Sequence, residues 1–231
     1  LKKDAIKGEK NMILRINPFR GIFTPAVYRG MLAEAEHYKR YRLSIILLYL
    51  ASILIYMVGS SLGIGSESIS KELPTLTDSA FEARKQLFLI GKLLQALIIP
   101  TIFLYLSSLY YVAFANGQFR KMMIMQLNVL GLFLIEKLLL IPLFLGLNIG
   151  SASNIFSFGV IAQYITSNEI AIHFLSELTL FRVAMFFLSY FYLTKLIEGR
   201  KQTLFVLNVI LYAIYWIFAG FISYMKIEFF F

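Results

Sequence analysis

Apolar residues fall in five long runs along this chain, at residues 44–62, 87–114, 122–146, 177–197 and 204–225, separated by polar connections. A helix rises about 1.5 Å per residue, so roughly 20 apolar residues cross a bilayer core about 30 Å thick, and each run is read as one crossing. A sixth apolar stretch, residues 155–165, is too short to cross and is read as an interfacial or re-entrant helix. The expected fold class is an all-α integral membrane protein with five transmembrane helices, forming a single membrane domain over residues 1–231.

The finer pattern sets the ends of these elements. Residues 1–17 are polar and basic without a sustained period, as in a flexible tail. Thr24 and Pro25 form an N-cap and first-turn pair, and Val27, Met31, Leu32 and Ala35 share a stripe opposite Arg29, Glu34 and Lys39. This predicts an amphipathic, interfacial helix on the inner leaflet; the alternative is a helical extension of the first span. Ala51, Ser52, Gly59 and Ser60 supply small residues for close packing in the first span. Thr77 and Asp78 start a helix that continues through Lys92 into the second span, where Pro100 introduces a kink or tilt. Asn116 and Gly117 make a tight turn, and Ser167 or Asn168 starts a helix running into the fourth span. Trp216 lies near mid-depth and is read as packing.

Composition agrees with this pattern. With 59% hydrophobic residues, 16% aromatic residues and a mean hydropathy of +0.74, most of the chain does not suit a water-exposed surface. The formal charge is +9, and its excess is placed unevenly. Lys and Arg concentrate in residues 1–42, in the turn at Arg120 and Lys121, and in the connection at Lys195, Arg200 and Lys201, whereas the 147–176 connection has none. Because short cytoplasmic loops are enriched in Lys and Arg, the N-terminus is expected inside and the C-terminus outside a multi-pass plasma-membrane protein. Arg29, Lys39, Arg40 and Arg42 are the expected contacts to inner-leaflet headgroups, so the basic excess points to the lipid bilayer rather than to nucleic acid. The chain holds no cysteine, which excludes disulfides and thiolate metal sites. No cleavable signal peptide is expected, because the first apolar run follows a long charged stretch.

Four charges fall within the apolar runs: Lys92, Glu136, Lys137 and Arg182. Helical rise puts Glu136 about 20 Å above the inner boundary and about 10 Å below the outer one, with Arg182 at a similar depth. A charge in hydrocarbon costs upwards of about 2.5 kcal/mol, so a buried Glu136–Arg182 pair is expected. In one reading this cluster is a substrate or proton site. In the other, which general experience with buried ion pairs favours, it registers the helices while Lys92 and Lys137 snorkel outward. Motifs for nucleotide phosphates, zinc proteolysis or a nucleophile elbow are absent, so no catalytic residue, metal or cofactor is expected. His37 and His173 lie on opposite sides of the expected membrane. His173, a turn from Glu169 and from Glu177, is read as part of a solvated face rather than a cation site. An internal echo links Tyr110, Gly117 and Asn128 to Tyr192, Gly199 and Asn208, a pattern expected of a parallel repeat or of chance.

The basic N-terminal segment with Asn17-Pro18-Phe19 and Thr24-Pro25, the five spans, and the turn Asn116-Gly117-Gln118-Phe119-Arg120 resemble the Yip family of membrane proteins. Gly117, Phe119 and Arg120 are the positions of the turn that match the pattern of bacterial members. Size and N-terminal pattern are most similar to a bacterial member associated with an ABC-type exporter that protects against a secreted toxic peptide. The resemblance implies a noncatalytic accessory or assembly subunit partnered by an ABC transporter permease, and it assigns no site residues. The alternative is a membrane protein that handles a small solute or peptide through Lys92, Glu136 and Arg182.

Overall fold

A computed structural model describes residues 12–65, 77–147 and 154–225. The expected outer end at residues 226–231 and most of the expected tail lie outside the described residues. In chain order the elements are strand β1 (Ile13–Arg15), helices α1 (Pro18–Phe23) and α2 (Pro25–Glu34), strand β2 (His37–Lys39) and helix α3 (Tyr41–Ser61). Helix α4 (Asp78–Thr101) passes through a π-helical turn, Ile102–Leu106, into α5 (Ser107–Ala115). Then come α6 (Phe119–Leu147), α7 (Gly159–Ile165), α8 (Glu169–Ser176), α9 (Leu180–Leu196) and α10 (Lys201–Met225). Among the described residues, four helical stretches are long and apolar enough to cross a membrane: Tyr41–Ser61, Ser79–Ala115, Phe119–Leu147 and Lys201–Ser223. The fourth expected span is the shorter helix α9, of 17 residues. Large apolar side chains line the outer faces of these helices, among them Leu50, Leu54, Ile90, Leu94, Ile98, Ile217 and Phe218. Such a surface is untenable in water and natural against lipid. The chain is an all-α membrane protein.

Pro100 marks the break in the second span through a specific exchange of partners. Proline has no N–H to donate to the carbonyl four residues earlier, which leaves Ala96 O without its helical bond. Ser52 of α3 donates to that carbonyl at 2.8 Å, and both residues are fully buried. One turn later Tyr49 and Thr101 hydroxyls meet at 2.7 Å, so α3 is bonded to α4 on either side of the proline. Ser52 thus serves packing and carbonyl satisfaction together, whereas a Cβ added at Gly59 would meet nothing within 4 Å.

Helix α6 is the centre of the molecule. Met122 to Gly131 are buried without interruption, so this half of the helix is enclosed on all sides by α1, α3, α5 and α9. Part of that enclosure is a cap formed by residues 12–39. Strands β1 and β2 pair in parallel, with Ile13, Leu14 and Arg15 opposite His37, Tyr38 and Lys39. Asn17 caps α1 by accepting from Arg20 N–H, and Pro18 and Pro25 open α1 and α2 with the restrained φ suited to a first turn. Arg40, at φ 63°, ends the cap and redirects the chain into α3.

This cap corrects two expectations. Its first residues form a strand rather than continuing the tail, and α2 is not an extension of the first span; of the expected stripe Leu32 and Ala35 are buried and Met31 packs on the core, with Val27 the exception. Tyr28, Leu32 and Ala35 face the bundle, while Val27 is 58% exposed, because α2 packs on the protein helix α9. The fourth span also differs. Asn168 caps α8 through its side chain, as expected for one of the two candidates, but α8 stops at Ser176. Phe156 O accepts from Leu180 N–H and Leu178 O from Phe158 N–H, an antiparallel bridge that pulls the chain out of the helix before Thr179 caps α9. The 155–165 stretch contains the short α7, and its Tyr164 and Ile165 are exposed. Trp216 packs as expected: its indole N–H donates to Phe174 O of α8 at 2.6 Å.

Candidate functional site

The four charges expected within the spans gather toward the end of the bundle where α3 finishes and α9 begins, but with different partners from those expected. Arg182 pairs with Glu177, not with Glu136. The reason is local: Thr179 Oγ1 accepts Arg182 N–H to start α9, and this cap turn places Glu177, five residues upstream, against the guanidinium. Glu136 is only 1% exposed, and among the described residues its carboxylate makes neither a hydrogen bond nor an ion pair. Tyr56 of α3 lies within electrostatic reach of Arg182, Glu177 and Glu136, so α3, α6 and α9 converge on one polar locus. Tyr56 is the member that the sequence did not single out, and Glu177, read there as part of a solvated face beside His173, is instead the partner of Arg182.

Each of the two lysines lies over an aromatic ring. Lys137 Nζ sits 5.4 Å from the centroid of the Phe133 ring, and Lys92 Nζ sits 4.9 Å from that of Phe88, cation–π contacts that ease placement near hydrocarbon. Lys92 also lies beside Gly65, where an added Cβ would come within 3.1 Å of its Nζ. His173 Nδ1 is 3.0 Å from Ser223 Oγ, and no group of three metal-binding side chains exists among the described residues. The side chain of Glu169 lies outside the described set.

Polar side chains in the core bind helices to one another. Tyr111 donates to Asn208 Oδ1 at 2.6 Å, and Asn208 Nδ2 donates to Phe186 O, joining α5, α10 and α9. Ser107 meets Tyr215, and Ser189 meets Tyr212. The echoed residues behave differently in the two halves. Tyr110 donates to Leu207 O, whereas Tyr192 donates to Gly21 O of the cap at 2.8 Å. Asn128, the counterpart of Asn208, is fully buried against Gly21, and among the described residues neither carboxamide atom has a hydrogen-bond partner.

The four expected headgroup contacts also divide. Lys39, Arg40 and Arg42 are exposed around the start of α3. Arg29 instead reaches α9, donating to Phe191 O at 3.0 Å with its guanidinium carbon 3.5 Å from the Phe191 ring centroid.

Fold and core together define a helical integral membrane protein whose buried polar groups chiefly join helix to helix. No protein family model matches the chain, nor does any curated protein or solved structure.

Proposed function

We propose that the protein is a noncatalytic accessory or assembly subunit of a membrane complex, with an ABC-type exporter as the partner that its resemblance to the Yip family suggests. In this reading α9 is a fifth crossing: its 17 residues span about 26 Å, close to the hydrocarbon thickness. The N-terminus is inside and the C-terminus outside the plasma membrane, in keeping with the basic residues at Arg40, Arg42, Arg120, Lys121, Lys195 and Lys201, which share one end of the bundle.

The observation that carries the accessory role is the outward face of α4. Gln95 is exposed there, and among the described residues its carboxamide has no hydrogen-bond partner. The adjacent residue Ala96 is bonded to Ser52, the twelfth of the 21 residues of α3, so Gln95 lies at mid-span rather than at the water interface. One turn away, Gly91 is exposed and its Cβ position opens onto empty space. A small residue and an unsatisfied amide on one lipid-facing stripe suit docking of a partner transmembrane helix, since a carboxamide left in hydrocarbon is costly.

Purification in mild detergent tests this reading. An ATPase and a permease should accompany the protein, and Gln95→Leu should release them without loss of folded protein. A stable lone protein that binds or moves a solute would sink the accessory reading. That outcome would favour solute or peptide handling, to which the buried Glu136 carboxylate, facing Tyr56 where α3, α6 and α9 converge, lends support, and Glu136→Gln would then abolish the activity.

A further inference from the structure

The cap has two faces, and only one is used by the bundle. Leu14, Ile16, Tyr28, Leu32 and Ala35 are buried against it, and Lys121 Nζ secures the cap further by donating to Ala33 O at 2.7 Å. On the other face, Phe19 and Phe23 stand one helical turn apart on α1 at 64% and 72% exposure, with Arg15 and Arg20 exposed beside them. The strand register adds to this charge by setting Arg15 directly beside Lys39. Neighbouring like charges are unfavourable unless an anionic surface lies against them.

Contacts along the helices fix the height of this face. Tyr49, eight residues into α3, is level with Thr101; Phe103, two residues lower, packs on Phe133, fourteen residues into α6, with ring centroids 5.4 Å apart. Helix α6 therefore begins about 12 Å below α3, and its residues near Asn128 are level with Tyr41. Gly21 sits against Asn128 and Ile22 against Gly131, so α1 lies at the height of Arg40 and Arg42.

We propose that α1 is an interfacial anchor, with Phe19 and Phe23 seated at the acyl-chain boundary of an anionic phospholipid leaflet and with Arg15 and Arg20 on its phosphates. Aromatic rings at this depth bury apolar area while nearby arginines reach the headgroups, the two terms that hold interfacial helices. The bundle-facing contacts supply what a six-residue helix lacks alone, a fixed orientation. The inference rests on the topology proposed above and is independent of any partner subunit.

Because the chain has no cysteine, Phe23→Cys offers a single site for a nitroxide label in full-length protein reconstituted in phosphatidylglycerol vesicles. The label should be accessible to dissolved oxygen and shielded from an aqueous nickel chelate. Replacing the lipid with phosphatidylcholine, or adding Arg15→Gln and Arg20→Gln, should shift the balance toward nickel. Free access to nickel in phosphatidylglycerol would overturn the anchor, as would shielding from both reagents, which signals burial by protein. Arg200→Cys, labelled with an impermeant maleimide from each side, reports the topology separately. Labelling of that site from the outside would reverse the topology and remove the inner leaflet as the anchor's partner.

Discussion

Replacing Gly21 by alanine should loosen the cap, against the usual trend for a glycine within a helix. Alanine ordinarily favours a helix over glycine by about 1 kcal/mol. At Gly21 an added Cβ would lie 2.2 Å from Asn128 Oδ1, 2.3 Å from its Cγ and 2.6 Å from its Nδ2. The Asn128 side chain is fully buried and has little room to retreat. Overpacking of this kind costs about 1–3 kcal/mol, and strain on the Tyr192 bond to Gly21 O adds about 1 kcal/mol. The net is about 2 kcal/mol, or roughly a 30-fold rise in the population with the cap detached. Limited trypsin digestion in nanodiscs reads this population through cleavage at Arg20 and Lys39, provided reclosing outpaces cleavage. Asn128→Ala is the decisive partner. It removes a carboxamide with neither atom bonded, so its own cost is small, and it vacates the volume the new methyl needs. The double variant should digest close to the wild-type rate, a coupling of about 2 kcal/mol. A Gly21→Ala protein that resists trypsin as well as wild type, or a double variant as sensitive as the single, would refute the steric argument.

Two further outcomes follow from the same kind of reasoning. Ser52→Ala should cost about 1–3 kcal/mol in detergent unfolding, because Ala96 O is buried and Pro100 cannot satisfy it; the same substitution should cost little in a Pro100→Ala background, where an N–H returns. Burial raises the Tyr28 phenol above its ordinary 10.0, opposed by the N–H of Asn17 and the charge of Arg20, with Tyr192 also facing it. The neutral form is the one the folded cap prefers, so its stabilisation is complete below pH 10.0 and declines as pH rises toward the elevated value. A nitroxide at position 23 should grow more mobile above that pH, and Tyr28→Phe should remove the transition.

The long apolar runs were legible because lipid imposes one demand on a crossing segment, and α3, α6 and α10 begin within a few residues of where hydropathy placed them. The faces and partners were not. Hydropathy grouped Val27 with Leu32, but which side of α2 is buried depends on α9, about 150 residues later in the chain. A three-residue strand such as β1 has no period long enough to detect, and its pairing with β2 is set by the cap as a whole. Matching depth suggested Glu136 for Arg182, whereas a cap turn brought the sequence neighbour Glu177 closer. Gln95 carried a usable signal, a lone carboxamide between Leu94 and Ala96 in an apolar run. Gly21 carried none, and Asn128 stood out only as an echo of Asn208, since their contact gives each its significance.

The seat of the cap has a consequence in time. Residues that hold Gly21 come from α6 and from α9, and the latter is complete only at Leu196, about 175 residues after Gly21 leaves the ribosome. At about 5–20 residues per second, this segment waits about 10–35 s before its binding groove exists. Throughout that interval Tyr28 and Leu32 remain uncovered beside Phe19 and Phe23. A segment made before all of the spans is thus among the last to dock, and its affinity for a surface already present holds it near the growing bundle until then.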